Sequence, residues 1–271
     1  GSWHITLSSV PLNGSWFYRL WLVRMVGEAF NNTLPAAGVG GESVKAVLLR
    51  QHYDIAYDDG AASLFLAKTV TMISLIGFLL VGFVLMRTAD DVPPYFSTVA
   101  GIGLGVFCAA ILGFFLVQRY GASSSFIAWL SRWSRLRRLA VAIQHISRIE
   151  QKFEEFYARN PKRFMGALMV SFTVWVVSIA EVYYALILLG HPISWAEAWI
   201  IEAGTQLVRT GTFFIPASLG TLDGALLLLT TALTGSPTFG IAVVLARRLR
   251  DIVWIALGFG IGSVLGRSRQ S

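Results

Sequence analysis

The chain has 271 residues, of which 55% are hydrophobic and 14% charged, against roughly 25% charged residues in a soluble domain. Its formal net charge is +7 and it holds a single cysteine, which excludes a disulfide-stapled scaffold. Composition of this kind points to an all-α, polytopic membrane protein, and the arrangement of the apolar residues decides whether that is so.

The chain opens abruptly on Gly1-Ser2, which reads as an expression remnant, and a natural helix is expected before it. The apolar stretch that follows carries arginines and does not fit a signal peptide. Residues 16–28 mix aromatic side chains with Arg19, Arg24 and Glu28. Arg24 and Glu28 lie four apart on one helical face and are placed to pair. A Pro/Gly-rich turn at 34–41 comes next, then an apolar stretch at 44–49 that is too short to cross a bilayer. Residues 62–86 hold one charge, Lys68, and residues 95–118 hold none. A helix needs about 20 apolar residues to cross the hydrocarbon layer, so both segments read as spans. Neither has the polar stripe of a soluble helix. An acidic hairpin at 88–94 separates them. Gly101-Ile102-Gly103-Leu104-Gly105 imitates a dinucleotide-binding loop, but inside a charge-free span it serves close helix packing.

Residues 119–163 hold ten basic and three acidic side chains, a surplus of seven that equals the net charge of the whole chain. Residues 126–157 read as an amphipathic helix, with Phe126, Trp129, Leu130 and Trp133 set against Arg132, Arg135, Arg137 and Arg138. Such a helix suits the surface of an anionic membrane. In a soluble protein this patch would suggest nucleic acid; between two spans no nucleic-acid partner is expected. Residues 164–189 form the third span and hold one charge, Glu181. The region beyond it carries Glu197, Glu202 and Asp223 against Arg209, and reads as exterior. A second Pro/Gly turn at 215–220 precedes a second short apolar stretch at 222–233.

The last span, 239–266, has Arg247, Arg248, Arg250 and Asp251 at its middle. Each charge at a bilayer centre costs about 2.5–3.5 kcal/mol. Three arginines facing lipid would therefore cost on the order of 8–10 kcal/mol. Two arrangements avoid this. The arginines face a polar cavity of net positive potential, with Glu181 and Glu202 as partners for the surplus, where a guanidinium suits phosphate or carboxylate. Otherwise the stretch is two shorter elements, and the arginines snorkel at an interface.

Positive loops stay on the cytoplasmic side. That rule places 119–163 and the C-terminal Arg267 and Arg269 inside, and 88–94 outside. The chain is then one integral membrane domain over 1–271, with 16–118 as a first half, 119–163 as a cytoplasmic linker and 164–271 as a second half. The two turns also resemble one another. LPAAGVGGESVKAVLL (34–49) and IPASLGTLDGALLLLT (215–230) each place an acid seven residues after the proline: Glu42 after Pro35, and Asp223 after Pro216. Lys68 and Arg248 follow at similar distances. Two re-entrant half-helix hairpins in an inverted repeat, as in secondary transporters, account for the pattern. The plainer account is that proline and glycine end two helices, and that Glu42 and Asp223 are first-turn acids.

Phosphate-loop, nucleophile-elbow and HExxH motifs are absent. His4, His52, His145 and His191 have no metal-ligand spacing. Neither a catalytic residue nor a metal nor any other cofactor is expected.

Asn31-Asn32-Thr33-Leu34-Pro35, Gly41-Glu42 and Lys45 resemble the N-x-L-P…G-E…K signature of the lysylphosphatidylglycerol synthase transmembrane region, a flippase-like family. Residues 215–224 resemble its second signature, P-G-x-L-G-x-x-E, with Ala217 for the usual glycine and Asp223 for the usual glutamate. The Arg-rich linker, Trp175, Glu181-Val182-Tyr183, Glu202 and the 247–251 run look most like the bacterial branch associated with hopanoid biosynthesis. The resemblance runs from about Trp16 to near the end. It implies a bacterial inner-membrane protein with re-entrant helices. The best-understood members move an aminoacylated phospholipid between leaflets and carry a separate soluble domain for the aminoacylation. The 271 residues are taken up by membrane segments and their linker, so synthase activity is not expected of them.

The expected function is therefore lipid translocation. Arg24, Glu28, Asn32, Pro35, Glu42, Lys45, Glu202, Arg209, Pro216, Asp223, Arg247, Arg248, Arg250 and Asp251 are the candidate residues for binding an anionic or amphiphilic head group. Membrane lipids are the expected partners, with a second copy of the chain or lipid-biosynthesis enzymes as further candidates. Two other readings stand beside it: a non-catalytic organiser of a lipid-synthesis complex, and a lipid-modifying membrane enzyme.

Overall fold

The computed structural model describes residues 1–7, 9–33, 40–89, 94–119, 160–212, 215 and 220–267. Among them all regular structure is helical. The order is α1 (Ser2–Thr6), α2 (Gly14–Thr33), α3 (Gly40–Tyr53), α4 (Tyr57–Thr88), α5 (Pro94–Arg119), α6 (Pro161–Leu188), α7 (Trp195–Gly211), α8 (Thr221–Thr234) and α9 (Pro237–Arg267). Pro35, Pro216 and the linker helix expected at 126–157 lie outside the described residues.

Among the described residues four helices are long and apolar enough to cross a membrane: α4, α5 over Tyr95–Gly113, α6, and α9 over Pro237–Gly266. They coincide with the four spans expected from the sequence, and the chain is a multi-pass helical membrane protein. Their outer faces fit that environment. Val99, Ile102, Val106 and Leu112 on α5, and Leu245, Leu249 and Ile252 on α9, are each more than 60% exposed. Large apolar side chains in such stripes face acyl chains rather than water.

The core gathers around α4, which packs against α3, α6 and α7. Phe78 is fully buried, with the rings of Trp199 at 5.2 Å and Trp175 at 6.0 Å. Both indoles also satisfy their polar edge. Trp199 donates to the Phe78 carbonyl at 3.1 Å, and Trp175 donates to Ser74 Oγ at 3.2 Å. Ile179, Val182, Ala198, Ile201 and Leu226 close this cluster. A second cluster of Trp3, Leu20, Val23, Leu49 and Leu64 ties α1 to α4 together. Helix α9 lies along α2, where Phe30 meets Phe259 edge-on at 5.2 Å. In the glycine run of α5, Gly101 faces Phe83 and Gly103 faces Leu207. A Cβ at either would fall 3.2 Å from the neighbouring side chain, as close packing requires.

Helices α3 and α8 contain the two short apolar stretches, and each has 14 residues. At 1.5 Å per residue each is about 21 Å long, short of the 30 Å layer. Helix α3 runs back along α2, with Trp16 against Tyr53 at one end and Glu28 against Lys45 further along. Helix α8 runs against α9, with Leu227 beside Gly240 and Asp223 on Arg248. His52 Nε2 lies 3.2 Å from the Leu265 carbonyl, so α3 and α9 end on the same face of the bundle.

One region departs from expectation. The segment after the third span reads as exterior, yet it forms α7, whose Ile200, Ile201, Glu202 and Thr205 are buried in the bundle. A capping box starts the helix: Glu197 N–H donates to Ser194 Oγ at 3.1 Å, and Ser194 N–H donates to the Glu197 carboxylate at 2.6 Å. Glu197 thus spends its charge at the helix start, while Glu202 is carried inside.

Candidate functional site

Helix α9 places Arg247, Arg248, Arg250 and Asp251 about 15–21 Å along its length from Pro237, where acids from three other helices converge. Arg247 is 5% exposed and Glu202, on α7, is 1% exposed. Their ion pair measures 2.5 Å. Gln206, one turn beyond Glu202 and so on the same face, donates to the other carboxylate oxygen at 2.7 Å. Arg247 Nε, buried and without a hydrogen bond among the described residues, lies 3.7 Å from Glu181 of α6.

Arg248 makes a two-pronged pair with Asp223 of α8, at 2.9 and 2.6 Å. Asp223 also accepts the backbone N–H of Gly220 at 3.2 Å, where φ is +81°, a conformation glycine adopts freely. The carboxylate therefore serves as first-turn acid and as counter-ion together. Arg250 pairs with Glu181 and with its neighbour Asp251 at 2.8 Å.

These pairs correct the expectation of a cavity with surplus positive charge. Three guanidinium groups meet four carboxylates, so the cluster carries one negative charge in excess. The span alone shows only Asp251. The other acids come from positions 25 to 69 residues away in the chain.

A second ion-pair cluster sits between α2 and α3. Lys45 is 4% exposed, and its Nζ lies 2.8 Å from Glu28 and 2.9 Å from Glu42. Asn31 on α2 accepts the Gly41 N–H at 2.8 Å and donates to Glu42 at 3.4 Å. It thereby supplies an acceptor to the open N-terminal end of α3. The signature residues Asn31, Gly41, Glu42 and Lys45 are thus one contact set.

Here too the sequence reading needs correction. The ion-pair partner of Glu28 is Lys45, and Arg24 stands exposed beside them. Arg24 lines a cleft of about 250 Å³ between α2 and α9 with Trp21, Glu28, Asn32 and Trp254. Asn32 turns its amide back to the Glu28 carbonyl at 3.0 Å. Lys68, the counterpart of Arg248 by its distance from the preceding proline, is exposed on α4, while the cation on Glu42 is Lys45. Arg209 is exposed on the last turn of α7 and joins neither cluster among the described residues. One participant escaped the sequence reading: Gln206, which announces itself by lying four residues after Glu202. Asn31 stands in the first signature but not among the candidate binding residues, where its neighbour Asn32 was placed instead.

Because Lys45 separates Glu28 from Glu42, replacing it leaves two acids facing each other. Lys45→Met is expected to lower the thermal midpoint in detergent, and adding Glu42→Gln should recover part of the loss. Equal midpoints for Lys45→Met and the parent would show that solvent, not Lys45, balances the two carboxylates.

Among the described residues no group of three or more His, Cys, Asp or Glu is placed to hold a metal ion. Chemically, the two clusters offer charge and hydrogen bonds to a polar group.

The sequence profile described as "Lysylphosphatidylglycerol synthase TM region" matches residues 1–260. A relative from Methanothermobacter thermautotrophicus, described as a UPF0104 membrane protein, is 22% identical over 278 residues, covering 97% of this chain and 79% of the relative. No solved structure matches. A match over nearly the whole chain, with the residues of the first signature in mutual contact, shows that the chain belongs to the lysylphosphatidylglycerol synthase transmembrane-region family.

Proposed function

We propose that this protein moves an amphiphilic lipid with a charged head group between leaflets, the head group meeting the two ion-pair clusters while the tails stay in the bilayer. The observation that carries the reading is the cluster on α9. Seven charged side chains from four helices gather along an apolar span, where each would be expensive as a purely structural element. Parts of it are reachable: Arg250 is 44% exposed, and Arg248 and Asp223 are partly open. A head-group phosphate suits the Arg248 fork as well as Asp223 does.

Several finer features belong to the same proposal. The hairpins α2–α3 and α7–α8 are re-entrant and related by an inverted repeat; the shortness of α3 and α8 and the acid in the first turn of each support this. The face where α3 and α9 end is cytoplasmic, as is the basic linker 119–163, in a bacterial inner membrane. No catalytic step is involved. The lipid is drawn from the hopanoid-associated set or the anionic phospholipids.

Reconstitution in vesicles with fluorescent lipids, scored by reductant access from outside, tests the reading. Arg248→Glu is expected to abolish translocation of the accepted lipid. The charge swap Arg248→Asp with Asp223→Arg should restore the fold without restoring transport. If the swapped protein transports like the parent, the pair is structural. Unchanged transport of every lipid in Arg248→Glu ends the translocase reading and favours an organising role in a lipid-synthesis complex.

A further inference from the structure

A second cavity, of about 820 Å³, opens at the face where α3 and α9 end. It is lined by Trp16, Arg19, Arg50, Gln51, Tyr53 and Tyr57, with His52 and Asp54 completing the wall. None of these residues takes part in the two buried clusters, and the cavity differs from them in kind.

Arg19 is its centre. The guanidinium lies 5.1 Å from the ring centre of Trp16 and 5.7 Å from that of Tyr53, two rings themselves 5.5 Å apart. Contact with two rings restrains the guanidinium without using its N–H groups as ion-pair donors. Arg19 forms no ion pair among the described residues. Arg50, across the cavity, pairs at 2.8 Å with Asp54, whose side chain is 91% exposed, so that pair is held weakly. Gln51 and the hydroxyls of Tyr53 and Tyr57 add neutral donors. A stacked arginine, a second loosely engaged arginine and several neutral donors describe an oxyanion site, and a tetrahedral phosphate can use all of them.

The source of the phosphate follows from the surroundings. Leu12, Phe17, Tyr18 and Trp21, flanking Arg19 on α2 and the segment before it, are all exposed. Tyr18 and Trp21 stack on one another at 6.2 Å. Aromatic residues beside basic ones at the end of a membrane bundle mark the head-group level. A ligand whose phosphate reaches Arg19 therefore has apolar surface beside it for acyl chains.

We propose that this cavity is a surface site for the phosphate of a membrane lipid, held by Arg19 with Arg50 and framed by Trp16, Tyr53 and Tyr57. The site is independent of translocation: it binds whether or not the lipid is then moved.

The test uses the full chain in mild detergent and a phosphatidate carrying a photoreactive group next to its phosphate, with labelled peptides identified by mass spectrometry. Labelling is expected on peptides containing Trp16, Tyr53 and Tyr57. Arg19→Gln should weaken it about tenfold, the size of one lost charge-assisted contact. Arg50→Gln should weaken it less. Labelling of the basic 119–163 peptides, unchanged in both variants, reports that lipid delivery and fold are intact. Unlabelled phosphatidate should compete, while diacylglycerol of the same chains and inorganic phosphate should not. Unchanged cavity labelling in Arg19→Gln overturns the site. Competition by diacylglycerol reduces it to an apolar groove. Full competition by inorganic phosphate at equal concentration overturns the lipid as its occupant and assigns free phosphate instead.

Discussion

Glu202→Ala is expected to destabilise the protein by about 3–5 kcal/mol, the usual effect of removing one partner from a buried ion pair. Both groups are almost completely enclosed, Glu202 at 1% and Arg247 at 5% exposed, so water cannot replace the lost carboxylate. Gln206 loses its acceptor in the same change. Glu181 offers only partial relief, since it stands 3.7 Å from Arg247 and already holds Arg250. Glu202→Gln keeps the volume and a hydrogen-bonding oxygen and is expected to fall between parent and alanine variant. The informative control removes both charges. Glu202→Leu with Arg247→Met fills similar space with apolar atoms, and such replacements are often neutral or stabilising. Thermal midpoints in detergent should therefore rank the double variant near the parent and Glu202→Ala far below. A stable double variant that no longer transports would separate the function of the pair from its contribution to the fold. If Glu202→Ala melted with the parent, Glu181 would be the true counter-ion of Arg247.

The sequence is explicit about some of this and silent about the rest. The four spans are legible because a bilayer demands about 20 apolar residues together, and a run of that length has no other common use. Helix α7 is hidden because its apolar run is broken by Glu202, Thr205 and Gln206, residues that become polar core only when Arg247 arrives from 45 positions away. The capping box at Ser194 and Glu197 was the available signal, and the charge of Glu197 was read as exterior instead. Local spacing likewise favoured Arg24 as the partner of Glu28. The real partner, Lys45, comes from a helix whose close approach no periodicity reveals. Glu181 and Glu202 were legible as partners for the arginines of the last span, and they do pair with Arg247 and Arg250; the expected surplus of positive charge disappears only when Asp223, on a further helix, takes Arg248 as well. Spacing did bring Asp223 and Arg248 into view, but as lining residues of one cavity rather than as a pair.

Gly41→Ala is expected to open the α2–α3 crossing and to dismantle the Lys45 cluster with it. A Cβ at Gly41 would clash with the carbonyl oxygen of Gly27 on α2, and would lie 2.5 Å from Asn31 Cγ. The first obstacle is backbone, so no rotamer change can relieve it and the helices must part. Overpacking of a core costs typically 1–3 kcal/mol, and a clash between main chains belongs at the upper end. Gly27→Ala provides the comparison. Its Cβ would meet the stem of Lys45, 2.5 Å from Cε at one point, and a flexible stem can move aside; the Gly41 carbonyl at 3.0 Å is a milder contact. Gly41→Ala should therefore lower the thermal midpoint more than Gly27→Ala. A double-mutant cycle then asks whether the crossing and the ion pairs are one unit. If parting the helices already separates Lys45 from Glu28, adding Lys45→Met to Gly41→Ala should cost much less than it does in the parent. Additive losses would mean that Lys45 follows its acids when the helices shift, and that the cluster is held by its charges rather than by the glycine contact. The distinction bears on function. A cluster that depends on the crossing can be opened by a small movement of α3 against α2, whereas one held by charge alone must be broken by the ligand itself.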